Sequence, residues 1–102
     1  MGLATANVQD AIAEGRQAII AFDDKGAARI LGRAVHMTSD SDLLEEIYEL
    51  ALLGSRSSKA GRLTRAMRWH GVIKAAEQRL EAAREREDIT RRFTSGVTRR
   101  TF

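Results

Sequence analysis

Apolar residues recur three or four positions apart in three short segments of the first half of the chain, the spacing that lines one face of a helix. This pattern predicts helices over residues 7–22, 27–37 and 42–53. The third segment has the most regular stripe, formed by Leu43, Leu44, Ile47, Leu50 and Ala51. Turn-forming and N-capping residues separate the segments at 23–26 and 38–41.

The second half of the chain carries one long amphipathic pattern that runs from about residue 58 to residue 92. Its apolar positions fall within roughly a third of the helix circumference. They are Ala66, Trp69, Ile73, Ala76, Leu80 and Ala83. The chain contains no proline, so a continuous helix of about 35 residues, roughly 50 Å long, is allowed. The pattern therefore predicts an all-α fold, a small helical bundle of three short helices and one long C-terminal helix.

The length of this last helix predicts a surface for self-association. The three preceding helices span only about 15–25 Å each, so we expect them to leave part of the long apolar stripe uncovered. A two-fold homodimer would bury that part by using the same patch twice. The predicted protein interface consists of Trp69, Ile73, Ala76, Leu80 and Ala83.

An interior glycine provides an alternative to this arrangement. Gly71 follows His70 in the middle of the long pattern, and a glycine inside a helix costs roughly 1 kcal/mol relative to alanine. If the chain bends at Gly71, it folds back as a monomeric five-helix globule.

A chain of 102 residues is long enough for one domain with a modest core. We predict a single helical domain over residues 1–92 and a basic C-terminal tail over residues 93–102. Two near-copies flank this boundary, because residues 89–93 and 97–102 each contain threonine, two arginines and a phenylalanine. The repeat is interpreted as a frayed helix end, with a basic and aromatic arm for an anionic partner as the alternative.

Charge is distributed unevenly along the chain. Residues 1–54 carry four basic and nine acidic side chains, whereas residues 55–102 carry thirteen basic and five acidic ones. This asymmetry indicates either an anionic partner for the second half or attraction between the two halves in an assembly. The alternative function is therefore nucleic-acid binding by the arginine-rich second half. Its candidate contact residues are Arg56, Lys59, Arg62, Arg65, Arg68, Arg91, Arg92, Arg99 and Arg100.

Small residues in the first two predicted helices follow the spacing of a known helical hairpin. The positions where its two helices cross are occupied by Gly15, Ala27 and Ala34. With Leu31 at an aromatic position, residues 8–39 resemble one tetratricopeptide-like hairpin. Ala11 and Ala18 stand where that motif has large aromatic anchors, and its closing proline is absent. The resemblance implies a scaffold for protein interactions, which usually needs at least three stacked repeats.

The sequence offers little for catalysis. It has no cysteine and only two histidines, His36 and His70, neither of which belongs to a set of three or four metal ligands at helical spacing. Asp40 lies four residues after His36, but a helix end is predicted between them. No glycine-rich phosphate loop follows a predicted strand. We therefore expect no catalytic, cofactor-binding or metal-binding residues.

The predicted function is that of a non-catalytic protein-interaction protein, an adaptor, inhibitor or assembly factor that forms a homodimer through its long helix. The sequence contains neither the pattern of a secretory signal nor an apolar run of membrane-spanning length. A cytoplasmic location without membrane contact is therefore expected.

Overall fold

The computed structural model describes the backbone of residues 7–100 and the side chains of residues 7–93. This part of the chain forms four α-helices and no strand, so the predicted all-α fold is confirmed. The helices are α1 (Val8–Ile20), α2 (Asp24–Ala34), α3 (Ser41–Ser57) and α4 (Arg62–Arg100). Within these residues no helix is both long and apolar enough to cross a membrane.

Each of the three short helices begins after a side chain that accepts hydrogen bonds from its first turn. These N-caps are Asn7, Asp23 and Asp40. They satisfy backbone N–H groups that have no partner inside the helix. The Asp23 carboxylate accepts from the N–H of Gly26 at 3.1 Å, so α2 begins earlier than its predicted start at residue 27.

Helices α2 and α3 form the middle of the molecule, with α1 on one side and α4 on the other. No pair of described residues brings α1 and α4 into contact. Helix α3 lies antiparallel along α4, because its C-terminal part meets α4 at Gly54 and Trp69. Its N-terminal part meets α4 where Glu45 pairs with Arg84.

The core is built from apolar side chains of all four helices. The stripe predicted for α3 is confirmed, because its members are buried or half-buried: Leu43, Leu44, Ile47, Leu50 and Ala51. Helices α1 and α2 approach closely where Gly15 faces Leu31. A β-carbon added at Gly15 would lie 2.7 Å from the Leu31 side chain, so this crossing depends on a small residue.

Helix α4 is continuous through Gly71, so the alternative in which the chain folds back at this residue is wrong. Gly71 lies on the exposed face, where an added β-carbon would meet no atom within 4 Å. Helix α3 likewise continues past Gly54, its predicted end, and finishes at Ser57. At Gly54 the absence of a side chain leaves room for Trp69, whose ring would lie 2.5 Å from an added β-carbon.

The predicted interface residues of α4 belong to the core of the single chain. Trp69, Ala76, Leu80 and Ala83 are buried and Ile73 is half-buried. The expectation that the short helices leave these positions uncovered is therefore wrong, and they offer no surface to a second copy. The physical reason is one of length. The stripe from Trp69 to Ala83 spans about 21 Å, and the 17 residues of α3 span about 25 Å alongside it.

Helix α4 nevertheless extends well past the part that the other helices cover. Ala83 is its last buried residue in the described part of the chain, and the helix continues to Arg100, about 25 Å further on. The molecule is correspondingly elongated, measuring 60 × 34 × 16 Å. No helix end coincides with the predicted boundary between residues 92 and 93. The side chains of residues 94–100 and all of 101–102, within the predicted tail, lie outside the described residues.

Two interior glycines provide a matched test of this packing. Gly54→Ala and Gly71→Ala gain the same helix propensity, but only the first places a β-carbon against the buried Trp69 ring. We expect Gly54→Ala to be less stable than Gly71→Ala by about 1–3 kcal/mol, a typical cost of overpacking. Urea denaturation followed by circular dichroism measures this difference. Equal stability of the two variants would show that α3 does not hold Trp69 at Gly54.

Candidate interaction surfaces

The unsupported part of α4 presents apolar side chains to solvent. We call residues 85–100 the C-terminal overhang. Ile89 and Phe93 are four residues apart, hence neighbours on the helix surface, and they are 58% and 73% exposed. The sequence repeats this spacing at Val97, whose side chain lies outside the described residues. Apolar residues at such spacing are typical of a helix that docks into a groove or against another helix.

Charges of opposite sign are separated along the C-terminal overhang. Acidic residues outnumber basic ones at its base, where a shallow depression is lined by Ser39 and Glu87 together with Arg86 and Arg91. The acidic residues include Asp40 and Asp42 at the start of α3, and Glu87 and Asp88 on α4 itself. Basic residues follow toward the tip: Arg91, Arg92, Arg99 and Arg100. Arg92 pairs with Asp88 at 2.7 Å, and the side chains of the last two arginines lie outside the described residues.

The opposite end of the molecule holds an exposed aromatic residue in a strained backbone conformation. Phe22 has a φ of 58°, in the left-handed region that favours glycine. It terminates α1: its N–H donates to the Ile19 carbonyl at 3.0 Å, and the N–H of Asp23 donates to the Ala18 carbonyl at 2.8 Å. Glycine is the usual residue at this position of a helix terminus. Phenylalanine there costs roughly 1–2 kcal/mol, and its side chain is nevertheless 54% exposed.

One cation contacts this phenylalanine, and further cations lie close to that cation along the chain. The Lys59 ammonium lies 4.2 Å from the centre of the Phe22 ring, within range of a cation–π interaction. Three arginines flank Lys59 at the end of α3 and in the first turn of α4. They are Arg56, Arg62 and Arg65. We call this set of four cations with Phe22 the basic end.

A polar contact fixes the basic end to the first helical hairpin. The Ser58 hydroxyl donates to the Asp24 carboxylate at the start of α2. Arg68 approaches the same carboxylate at 3.9 Å. This contact joins the turn after α1 to the connection between α3 and α4, and so holds Phe22 beside Lys59.

The structure divides the predicted nucleic-acid contacts into separate groups. Arg56, Lys59, Arg62 and Arg65 lie together at the basic end, whereas Arg68 is drawn toward Asp24. Arg91 and Arg92 lie on the C-terminal overhang, and α4 separates Arg65 from Arg91 by about 39 Å. One short ligand therefore cannot contact both groups at once.

Part of the charge asymmetry is used inside the chain. Glu45 of α3 pairs with Arg84 of α4, in addition to the approach of Asp24 and Arg68. By contrast, none of the four cations of the basic end lies within 4 Å of a carboxylate among the described residues. The basic end is thus one place where positive charge stays available to a partner, and exposed Lys25, Arg29 and Arg33 on α2 form another. The basic end differs from α2 in that one of its cations contacts an exposed aromatic ring.

Apolar residues are also exposed where α4 begins. Leu63 and Met67, again four residues apart, are 74% and 75% exposed on the side of the helix that faces away from the core. Between these two residues and the C-terminal overhang, the outward face of α4 carries the polar residues Lys74, Gln78 and Glu81. In the described part of α4, large exposed apolar side chains therefore lie only near its two ends.

The described residues contain no group of three or more histidine, aspartate or glutamate side chains arranged to hold a metal ion. His36 is exposed in the turn after α2. Asp40, the carboxylate nearest to it in the predicted pattern, accepts from the N–H of Asp42 at 2.8 Å as the N-cap of α3. Asp40 therefore serves as the N-cap of α3, and no hydrogen bond or ion pair joins it to His36 among the described residues.

The sequence pattern places Phe22, Ile89 and Phe93 in other contexts. Phe22 is the last residue of the first predicted helix, and Ile89 and Phe93 belong to the first copy of the repeat at residues 89–93. The available signal for Phe22 was its position directly before the turn at residues 23–26. For Ile89 and Phe93 it was their four-residue spacing beyond Ala83, the end of the buried stripe.

The comparisons with known proteins returned no match. No protein-family model fits the chain, and neither a curated protein nor a solved structure is significantly similar to it.

The strain at Phe22 is testable by its effect on stability. Phe22→Gly and Phe22→Ala both remove the ring, but only glycine adopts a φ of 58° without steric cost. We expect the glycine variant to be more stable than the alanine variant by about 1 kcal/mol, the reverse of their order inside a helix. Chemical denaturation of both variants measures the difference. A more stable alanine variant would mean that residue 22 does not hold a left-handed conformation.

Proposed function

We propose that this protein is a non-catalytic helical interaction protein that self-associates through the C-terminal overhang. The observation that supports this proposal is the exposure of Ile89 and Phe93 on a part of α4 that the other described helices do not cover. Adaptor, inhibitor and assembly roles all require a contact element of this kind.

Helix stability gives a physical reason for a partner at the overhang. An isolated helix shorter than about 12–15 residues is marginal in water, and most helices in proteins are stabilised by packing of an apolar face. The C-terminal overhang, residues 85–100, exceeds this length only slightly; it continues a helix that is already formed, but it lacks such packing over its described residues. Burying one isoleucine and one phenylalanine contributes about 1.5–3 kcal/mol each, enough to favour an ordered, docked helix.

A second copy of the chain satisfies the charges of the overhang. Its base, residues 85–88, carries three carboxylates and Arg86, whereas its outer part carries Arg91, Arg92 and two further arginines. Of these charges, Asp88 and Arg92 already pair within the chain. Two overhangs that pair in parallel would place like charges opposite one another. Two that pair antiparallel place the basic part of each beside the acidic base of the other.

The antiparallel register follows from the apolar positions. If the two-fold axis passes near Phe93, the two phenylalanines meet and Ile89 of each copy lies at the level of Val97 of the other. Arg99 of each copy then reaches the level of Glu87, next to the start of α3. One patch is used twice, as a closed two-fold dimer requires.

Replacing the apolar pair of the overhang tests the proposal. We expect the double variant Ile89→Ser/Phe93→Ser to weaken dimerisation at least about tenfold, because four apolar side chains leave the interface. Light scattering should give the wild-type chain about twice its 11.3 kDa mass at micromolar concentrations and the variant the monomer mass. Circular dichroism should show that the bundle stays folded.

The matched control is Leu63→Ser/Met67→Ser, which removes an equally exposed apolar pair at the other end of the same helix. This variant should remain dimeric. A wild-type chain that stays monomeric throughout this concentration range would refute self-association. A control variant that dissociates as fully as the overhang variant would place the interface elsewhere.

The second candidate function is nucleic-acid binding. A different surface supports it, namely the four cations of the basic end that have no carboxylate within 4 Å among the described residues. It does not compete with self-association, because the two surfaces lie at opposite ends of α4.

A further inference from the structure

We propose that the basic end binds single-stranded nucleic acid, with Phe22 as the stacking surface for a base and the surrounding cations as contacts for phosphates. This inference is independent of self-association, since none of its residues lies on the C-terminal overhang.

Phe22 is the first reason to place a ligand here. The chain holds this phenylalanine in a backbone conformation that glycine adopts at lower cost, and more than half of the side chain remains exposed. Strained residues of this kind cluster at binding and catalytic sites. The cation–π contact with Lys59 contributes about 0.5–1 kcal/mol at an exposed site, less than the roughly 1–2 kcal/mol that the left-handed conformation costs. We attribute the remaining difference to contact of the ring with a ligand.

The charges around the ring provide the second reason. Lys59 lies over the Phe22 ring at 4.2 Å, and Arg56, Arg62 and Arg65 follow within one turn of helix on either side of the α3–α4 connection. The first turn of α4 contains no acidic residue that would neutralise them. Asp24 is engaged by Ser58 and Arg68, and the Asp23 carboxylate is engaged by the N–H of Gly26. These two carboxylates are outnumbered by the four cations of the basic end, so positive charge predominates there.

An aromatic face beside several cations fits a single strand better than a duplex. Base–aromatic stacking requires unpaired bases, which a duplex keeps inside its stack, while lysine and arginine contact the phosphates of either form. Arginine also stacks on bases through its planar guanidinium group. The basic end is small, because its cations span residues 56–65, so we expect it to contact only a few nucleotides.

The test is fluorescence anisotropy with a labelled oligothymidylate, using the full chain. A duplex of the same length and vesicles containing anionic phospholipid serve as competing ligands. We expect binding to the single strand that weakens as salt rises from about 50 to 200 mM. If all four cations contact phosphates, the logarithm of the affinity should fall with a slope of about 3 against the logarithm of salt concentration. Duplex and vesicles should bind more weakly at each salt concentration.

Variants separate stacking from general charge attraction. Phe22→Gly should lower affinity about tenfold or more while leaving the salt dependence unchanged, and Phe22→Trp should retain affinity. Arg62→Gln/Arg65→Gln should lower both the affinity and the salt slope. The control Arg29→Gln/Arg33→Gln removes the same charge from exposed positions of α2 and should bind like the wild type.

Several results would overturn the proposal. These are no binding at the lower salt concentration, equal or tighter binding to the duplex or the vesicles, and full affinity in Phe22→Gly.

The monomeric variant Ile89→Ser/Phe93→Ser tests nucleic-acid binding separately from self-association. It should retain the tenfold effect of Phe22→Gly even if its overall affinity falls with the loss of the dimer. If wild-type binding disappears entirely in this variant, the ligand needs the overhang and the assignment to the basic end is wrong.

Discussion

The unequal length of α3 and α4 is the constraint on which the rest of the molecule depends. Helix α3 has 17 residues and lies antiparallel along α4, which has 39, so it supports less than half of the longer helix. The Trp69 ring, seated where Gly54 has no side chain, fixes where this support begins. The support that α3 gives to α4 ends near Ala83, because the first residues of α3 lie beside Ala83. Both unsupported ends of α4 consequently expose apolar residues, Leu63 and Met67 at one end and Ile89 and Phe93 at the other. The C-terminal overhang arises from this geometry, whereas the basic end depends on the terminus of α1.

The fold was largely predictable because helical periodicity is a local property of the sequence. The α3 stripe and the uninterrupted α4 follow from spacing and from the absence of proline. The pattern identified Trp69 and Leu80 as residues to be buried, but it could not tell whether α3 or a second copy buries them. That distinction depends on the register of α3 along α4, which is set by the three-dimensional fit at Gly54. The exposed Phe22 escaped prediction for a related reason, since its apolar character suits a helix face and only its φ reveals a helix terminus.

The structure shows which charges of the asymmetric sequence pair within the chain and which remain exposed. Some of these charges pair internally, since Asp24 and Glu45 of the acidic half approach Arg68 and Arg84 of the basic half. The pair of Glu45 and Arg84 is exposed, and exposed pairs contribute little to stability, typically below 1 kcal/mol. These internal pairs instead determine which cations remain available to bind a partner. Among the described residues, the cations without a carboxylate within 4 Å then include the four of the basic end, three on α2 and Arg86 and Arg91 on the overhang. A count of charges along the chain could not give this division.

The two proposed surfaces are compatible because they occupy opposite ends of one rigid helix. Antiparallel pairing of the overhangs places the dimer contact at the centre and one basic end at each tip, about 90 Å apart along the two copies of α4. A dimer of this form is bivalent. A flexible single strand long enough to span the tips can engage both, and the second contact then forms at a high effective concentration. A strand too short to span them gains nothing from dimerisation. Self-association would therefore make the protein bind long single strands more tightly than short ones. This preference needs no contact beyond those already described.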